Sequence, residues 1–191
     1  AMNLDASQLP ALRSAIDAET DPEFVQMRDL GQSGLMAQWF NRPGSLTVWN
    51  SRAMWSDIQD ATDYAKYTPA VANMPTDVAG TNRLLGVLIK LTVQQNMLLG
   101  SRDGHLDARD AGVMDALIDT VTGIQSGAGG AVTAPGGASG VNVATAATRA
   151  ASRAESLYPG ANMTKGTVTA NVLAWEGQIN EYDIGAALAL P

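Results

Sequence analysis

Between residues 123 and 140 the chain reads GIQSGAGGAVTAPGGASG, with seven glycines and no charged residue, set between two segments of strong helical character. A run of this composition cannot bury enough apolar surface to fold by itself, and it is far longer than the usual connection between helices. The body of the protein must be interrupted here, and the reading adopted is a glycine-rich arm that gains order against a partner. With 191 residues, 46% of them hydrophobic, the chain can bury one core, so a single domain over 1–191 with appendages is expected. Taken alone, the residues describe a mainly helical protein with no visible active site.

Charge and cysteine usage narrow the function classes. A net charge of −7 argues against wrapping nucleic acid, which needs clustered Lys and Arg to neutralise phosphates. The charge is uneven. Asp17, Glu19, Asp21, Glu23 and Asp29 load the N-terminal part, whereas Arg149, Arg153 and Lys165 fall together, so in an assembly one region could face a neighbour's opposite charge. The absence of cysteine excludes disulfides and thiolate chemistry. No secretory leader is expected ahead of the first helix. The most apolar run, residues 84–93, carries Lys90 and falls short of the roughly 20 residues a membrane span needs, so it reads as core.

Along the chain, Leu9, Leu12, Ala15 and Ile16 lie on one face of a first helix opened by Pro10. Asp21-Pro22-Glu23 is a helix start: an N-cap acceptor, a proline in the first turn, and an acid at the positive helix end. Trp39 and Phe40 fall on a helical stripe that ends at Asn41-Arg42-Pro43-Gly44, and Ser45–Trp49 reads as a short strand. Ser56 is expected to cap a modest helix. A long, centrally buried helix is expected from about 77 to 99, and an amphipathic one from Leu106 to Val121. Asn142 restarts helix along an alanine stripe through Ala146, Ala147, Ala150, Ala151 and Ala154. Thr167–Trp175 reads as a strand, Asn180 caps a brief last helix, and 164–191 forms a C-terminal extension. Trp49 and Trp55 read as core, whereas Trp175, beside a turn, has the better claim to an interface. The fold class expected is a helical bundle with a glycine-rich arm and a short C-terminal strand or hairpin.

The dense polar cluster is Arg102 to Asp110, which contains His105, the only histidine. An acid/base or metal site is conceivable there. Against it, Asp107 and Asp110 fall where a helix dipole favours acids, and Asp103-Gly104 is an ordinary turn pair. The calcium-loop pattern and the zinc spacings are absent, and no GxSxG elbow accompanies a serine. The paired glycines at 129–130 and 136–137 do not fit a phosphate-binding loop, which requires Gly-Lys-Ser/Thr opening a helix. No catalytic residue, cofactor or metal is expected.

The ordered segments SLTVWNS, SDIQDA, GTNRLLGVLIKLTVQQNMLL, LDARDAGV, ATRAASRAESLY and TVTANVLAWEGQINEYDIGAAL resemble those of small virion proteins encoded among the structural genes of tailed bacteriophages. The resemblance covers the chain from about residue 45 onward. It implies a head-to-tail adaptor (connector): a homo-oligomeric ring, a dodecamer matching the portal, made in the host bacterial cytoplasm and placed in the virion neck. Its implied partners are the portal protein and a downstream tail protein, with genomic DNA passing through unbound and no membrane contact. On this view the arm residues Gly129, Gly130, Val132, Pro135, Gly136 and Gly137 and the terminal-strand residues Val168, Val172 and Trp175 form the partner interface. Two alternatives remain: another virion component, such as a capsid decoration or tail protein, and an enzyme using the His105 cluster.

Overall fold

The computed structural model describes residues 3–61, 78–79, 81–82, 85, 104–121, 124–125, 131–133 and 142–191. The chain divides into two compact units. Unit 1 comprises residues 1–48, 150–162 and 171–191, and unit 2 comprises residues 49–149 and 163–170. In sequence, unit 2 therefore interrupts unit 1 twice.

Unit 1 is built from helices α1 (Leu9–Ala18), α2 (Pro22–Asp29), α3 (Ser33–Asn41) and α6 (Glu181–Leu188). The starts follow the sequence signals. The Asp21 carboxylate accepts the Glu23 N–H at 2.9 Å, and Pro22 occupies the first turn, where its missing donor costs nothing. At the other end of the chain Asn180 and Asp183 form a reciprocal capping box on α6. The buried faces of these helices meet in one core containing Leu12, Ile16, Phe24, Met36, Trp39, Phe40 and Ile184. Phe24 packs edge-on against Phe40 (centroids 5.4 Å apart, 84°) and tilted against Trp39 (5.8 Å, 50°). Full burial of side chains of this size contributes roughly 1.5–3 kcal/mol each.

A second set of contacts in unit 1 uses polar side chains to serve main chain. The Asp183 side chain is fully buried. Its Oδ1 accepts the N–H groups of Asn3 and Leu4 (2.8 and 2.9 Å), while Oδ2 accepts that of Asn180 (2.8 Å). Asn41 reads the main chain of Ile179 from both sides: its Nδ2 donates to the Ile179 carbonyl (2.8 Å) and its Oδ1 accepts the Ile179 N–H (3.0 Å). Asn171 does the same for Gly160, at 2.8 and 2.9 Å. Buried Glu155 accepts the N–H groups of Ser152 (2.8 Å) and Gly177 (3.2 Å). The Tyr158 hydroxyl donates to the Gln8 carbonyl at 2.9 Å.

Unit 2 contains the short antiparallel pair β2 (Ala53–Met54) and β3 (His105–Leu106), helix α4 (Trp55–Asp60), helix α5 (Ala111–Val121), and the antiparallel pair β4 (Ile124–Gln125) and β5 (Ala131–Thr133). Trp49 is fully buried, and its indole N–H donates to the Met163 carbonyl at 2.9 Å. Residues 142–146 are helical. Of the stretch expected as a central buried helix, positions 78–79, 81–82 and 85 are described and helical, but Leu85 is 56% exposed; the remainder lies outside the described residues.

The fold-class expectation needs correction. A four-stranded mixed sheet in the order β6-β1-β8-β7 joins β1 (Pro43–Trp49), β6 (Thr148–Ser152), β7 (Asn162–Lys165) and β8 (Val168–Asn171), so the protein is α+β and not a helical bundle. β1 and β8 run parallel with Val48 opposite Asn171. Two residues separate β7 from β8, a length that only an antiparallel hairpin can use. Gly166, at φ +58°, takes the left-handed first position of this turn. The alanine stripe is helical only to residue 146 and then becomes β6. Alanine's helix advantage over ordinary residues is at most about 0.7 kcal/mol per position. It yields to a ladder in which the Arg153 N–H donates to the Arg42 carbonyl (3.0 Å) and the Asn50 N–H to the Ala147 carbonyl (2.9 Å). The α5 helix likewise begins at Ala111, five residues later than Leu106, because Leu106 is already paired in β3 with Ala53 opposite.

Replacing Asp183 with Ala leaves three inward N–H groups without an acceptor and is expected to cost about 2–4 kcal/mol in denaturant unfolding, with faster amide exchange at Leu4. Burial, aided by the carboxylates of Asp183 and Asp5, pushes the Tyr158 phenol up to about 12. An unfolded tyrosine ionises near 10, so the unfolded chain loses this proton first. The resulting stability is intact below about pH 10 and is lost as the pH rises toward 12. Urea unfolding across this window is expected to fall more steeply with pH for the native chain than for Tyr158→Phe.

Candidate functional site

Unit 1 carries an open groove of about 620 Å³ between the C-terminal end of α1 and the start of β1. Trp39 and Phe40, at the end of α3, and Leu157 supply apolar lining; Glu19, Asp21 and Arg153 supply charge. Trp39 organises one wall. The guanidinium of Arg153 stacks 4.1 Å from the Trp39 ring centroid and that of Arg42 4.6 Å from it. Each cation also meets an acid: Arg42 lies 3.1 Å from Glu23 and Arg153 3.9 Å from Glu19. The N-terminal acids and Arg153, expected to face opposite charge across an assembly, thus find part of that charge within unit 1. The Trp39 indole N–H is buried and has no hydrogen-bond partner among the described residues.

Gly44 lies in this groove because β1 passes close to the segment after β6. A Cβ there would meet Ser156 Oγ at 3.1 Å and the Ala151 carbonyl at 3.3 Å. The arrangement can hold an extended, mixed apolar and charged segment. The groove lining includes no histidine or cysteine. The Trp39–Arg42 part was accessible from the sequence as a three-residue spacing at a helix end. Arg153 was not, because it reaches Trp39 from the turn after β6, a strand that the alanine stripe disguised.

The expected interface residues fall in different settings. Gly129, Gly130, Pro135, Gly136 and Gly137 lie outside the described residues. Val132 is in β5, opposite β4, so part of the glycine-rich run is paired backbone. Val168 opens β8, which lies inside the sheet between β1 and β7, so this strand's main chain is already committed on both sides. Val172 follows β8, and its N–H donates to the Ala161 carbonyl at 2.8 Å. Trp175 packs edge-on against Tyr158, centroids 5.4 Å apart at 75°, at the margin of the unit 1 core. The structure does not bring these residues onto one described surface.

In the His105 cluster the carboxylates of Asp107 and Asp110 each hold a local contact. Arg109 donates from Nε (2.9 Å) and Nη2 (2.7 Å) to the Asp107 carboxylate, which holds the Asp107 pKa below the usual carboxylate value. A carboxylate so stabilised is a weak proton acceptor. The Asp110 carboxylate accepts the N–H groups of Gly112 (2.7 Å) and Val113 (3.1 Å), capping α5. His105 stands opposite Met54 in the β2–β3 pair, with Nδ1 buried and without a partner among the described residues. Among the described residues no three His, Cys, Asp or Glu side chains converge as a metal site, and no helix is long and apolar enough to cross a membrane.

Comparison of the chain with protein-family models, curated proteins and solved structures finds no match in any of the three.

Arg153→Met keeps an apolar stem over Trp39 but removes the cation. The expected cost is about 0.5–1.5 kcal/mol in thermal unfolding, reduced in Trp39→Leu, where no ring remains to stack on.

Proposed function

We propose that the protein is a structural component of the tailed-bacteriophage virion, a head-to-tail adaptor that assembles as a homo-oligomeric ring beneath the portal. In this reading it is made in the host bacterial cytoplasm, resides in the neck as a dodecamer, and contacts the portal protein and a downstream tail protein. Genomic DNA passes through the ring without specific binding, consistent with a chain of net charge −7. The ordered segments from SLTVWNS to the C-terminal TVTANVLAWEGQINEYDIGAAL support the phage assignment.

The structural observation that carries an assembly role is a set of large apolar side chains left in water on unit 1. Leu30 at the end of α2 is 63% exposed, Leu35 in α3 42%, and Tyr182 in α6 60%. Leu35 and Tyr182 adjoin, in sequence, the point where α3 and α6 approach, since a Cβ on Gly34 would lie 3.8 Å from Glu181 Oε2. Apolar and aromatic side chains of this kind suit a surface that a neighbouring subunit covers.

Sedimentation and electron microscopy of the protein mixed with portal rings test this reading. Ring density added beneath the portal supports it, whereas binding to capsid shells or tail proteins moves the assignment to another virion component. The double variant Leu35→Ser/Tyr182→Ser is expected to weaken portal association at least about tenfold, equivalent to about 1.4 kcal/mol, with the thermal midpoint of the free protein unchanged.

A further inference from the structure

The charged groups of the groove in unit 1 are unequally satisfied. Arg153 stacks on Trp39, which occupies the face of its guanidinium and leaves the N–H groups at the edge. Among the described residues none of these N–H groups donates a hydrogen bond, and the Glu19 carboxylate lies 3.9 Å away, beyond hydrogen-bond reach. Arg42, on the same ring, is already used: its Nη1 and Nη2 donate to Glu23 at 3.4 and 3.1 Å. Arg153 is therefore a cation held in place with its donors free.

The acids of the lining complement it. Glu19 Oε1 accepts the N–H groups of Thr20 (3.0 Å) and Asp21 (3.1 Å), and Asp21 Oδ1 accepts that of Glu23 (2.9 Å). These bonds fix both carboxylates. Each keeps a second oxygen, Glu19 Oε2 and Asp21 Oδ2, that accepts no hydrogen bond among the described residues. Beside these charges Phe40, Pro43 and Leu157 give an apolar surface, and the volume of about 620 Å³ falls within the roughly 300–1,000 Å³ of small-molecule sites.

We infer that the groove binds a small zwitterion with an apolar body, of the chemical class of a short apolar peptide with free ends. Its carboxylate takes the edge N–H groups of Arg153, the bidentate geometry that a guanidinium suits. Its ammonium takes Glu19 Oε2 and Asp21 Oδ2. The charge pattern selects this occupant. A simple anion would meet two carboxylates beside the one free cation, and a simple cation would cover Arg153 without pairing it; in each case a charged group loses water and gains no partner. A molecule that carries both charges satisfies both sides, while its apolar side chains cover Phe40, Pro43 and Leu157. Every residue of the site belongs to unit 1. The inference stands independently of the adaptor reading.

Titration of the full chain with leucyl-leucine to millimolar concentration, followed by NMR at the Trp39 indole and Arg153 guanidinium resonances, tests it. The expected result is a saturable shift at both. N-acetyl-leucyl-leucine, which lacks the ammonium, and leucyl-leucine amide, which lacks the carboxylate, are each expected to bind at least about tenfold more weakly. In Arg153→Met the acid and the amide are expected to bind alike. In Glu19→Gln, whose amide oxygen still accepts the Thr20 and Asp21 N–H groups, the gap between the free and the acetylated peptide is expected to narrow while the preference for the acid over the amide persists. The absence of a saturable shift at Trp39 and Arg153 overturns the inference. So does binding that is indifferent to the loss of either charge, or a preference for the acid that survives in Arg153→Met.

Discussion

The unsatisfied main chain of an irregular segment is the constraint on which unit 1 depends. Between the end of β8 and the start of α6 the chain forms neither helix nor strand, yet Leu173 and Ile179 within it are buried. Backbone groups taken out of water need partners, and here no ladder supplies them. Asn41, Glu155 and Asp183 do so from α3, the short 3₁₀ turn Glu155–Leu157 and α6. Each partner is an oxygen acceptor or an amide whose geometry fits one site. The buried polar residues of this unit are therefore spent on order, and the apolar helices pack around a segment they could not otherwise tolerate.

Charge is distributed by the same economy. Trp39 offers one aromatic ring to two guanidiniums, and the acids of the α1–α2 region meet those cations on their outer sides. Exposed pairs of this sort contribute little singly. Stacking gives them fixed positions, so the wall of the groove has a defined charge pattern and not a mobile fringe.

The sequence was legible where the signal is local. The proline and N-cap at Asp21-Pro22, the Asn180 cap and the apolar spacings of α1 and α3 each act within a few residues, and the helices stand at those places. Of the sheet, β1 at Ser45–Trp49 and β8 within Thr167–Trp175 were legible as strands, but their partners were not, because they are recruited from distant stretches. β6 is written in alanine and reads as helix, and β7, Asn-Met-Thr-Lys, has no strong strand character of its own. What makes them strands is β1 and β8 needing partners. The candidate site shared this fate: Trp39 and Phe40 stand on the helical stripe that their spacing announced and are buried, but the groove beside them depends on Arg153, which follows that hidden strand.

The Asp183 contact has a consequence for the timing of synthesis. Its carboxylate joins Leu4 to a residue 179 positions later, and α6, which packs against α1 and α3, is made equally late. At about 5–20 residues per second, translation of that span takes roughly 10 to 35 s. For that interval Leu12 and Ile16 of α1 are made without the helix that packs against α1. Unit 1 can close only after that span has been made.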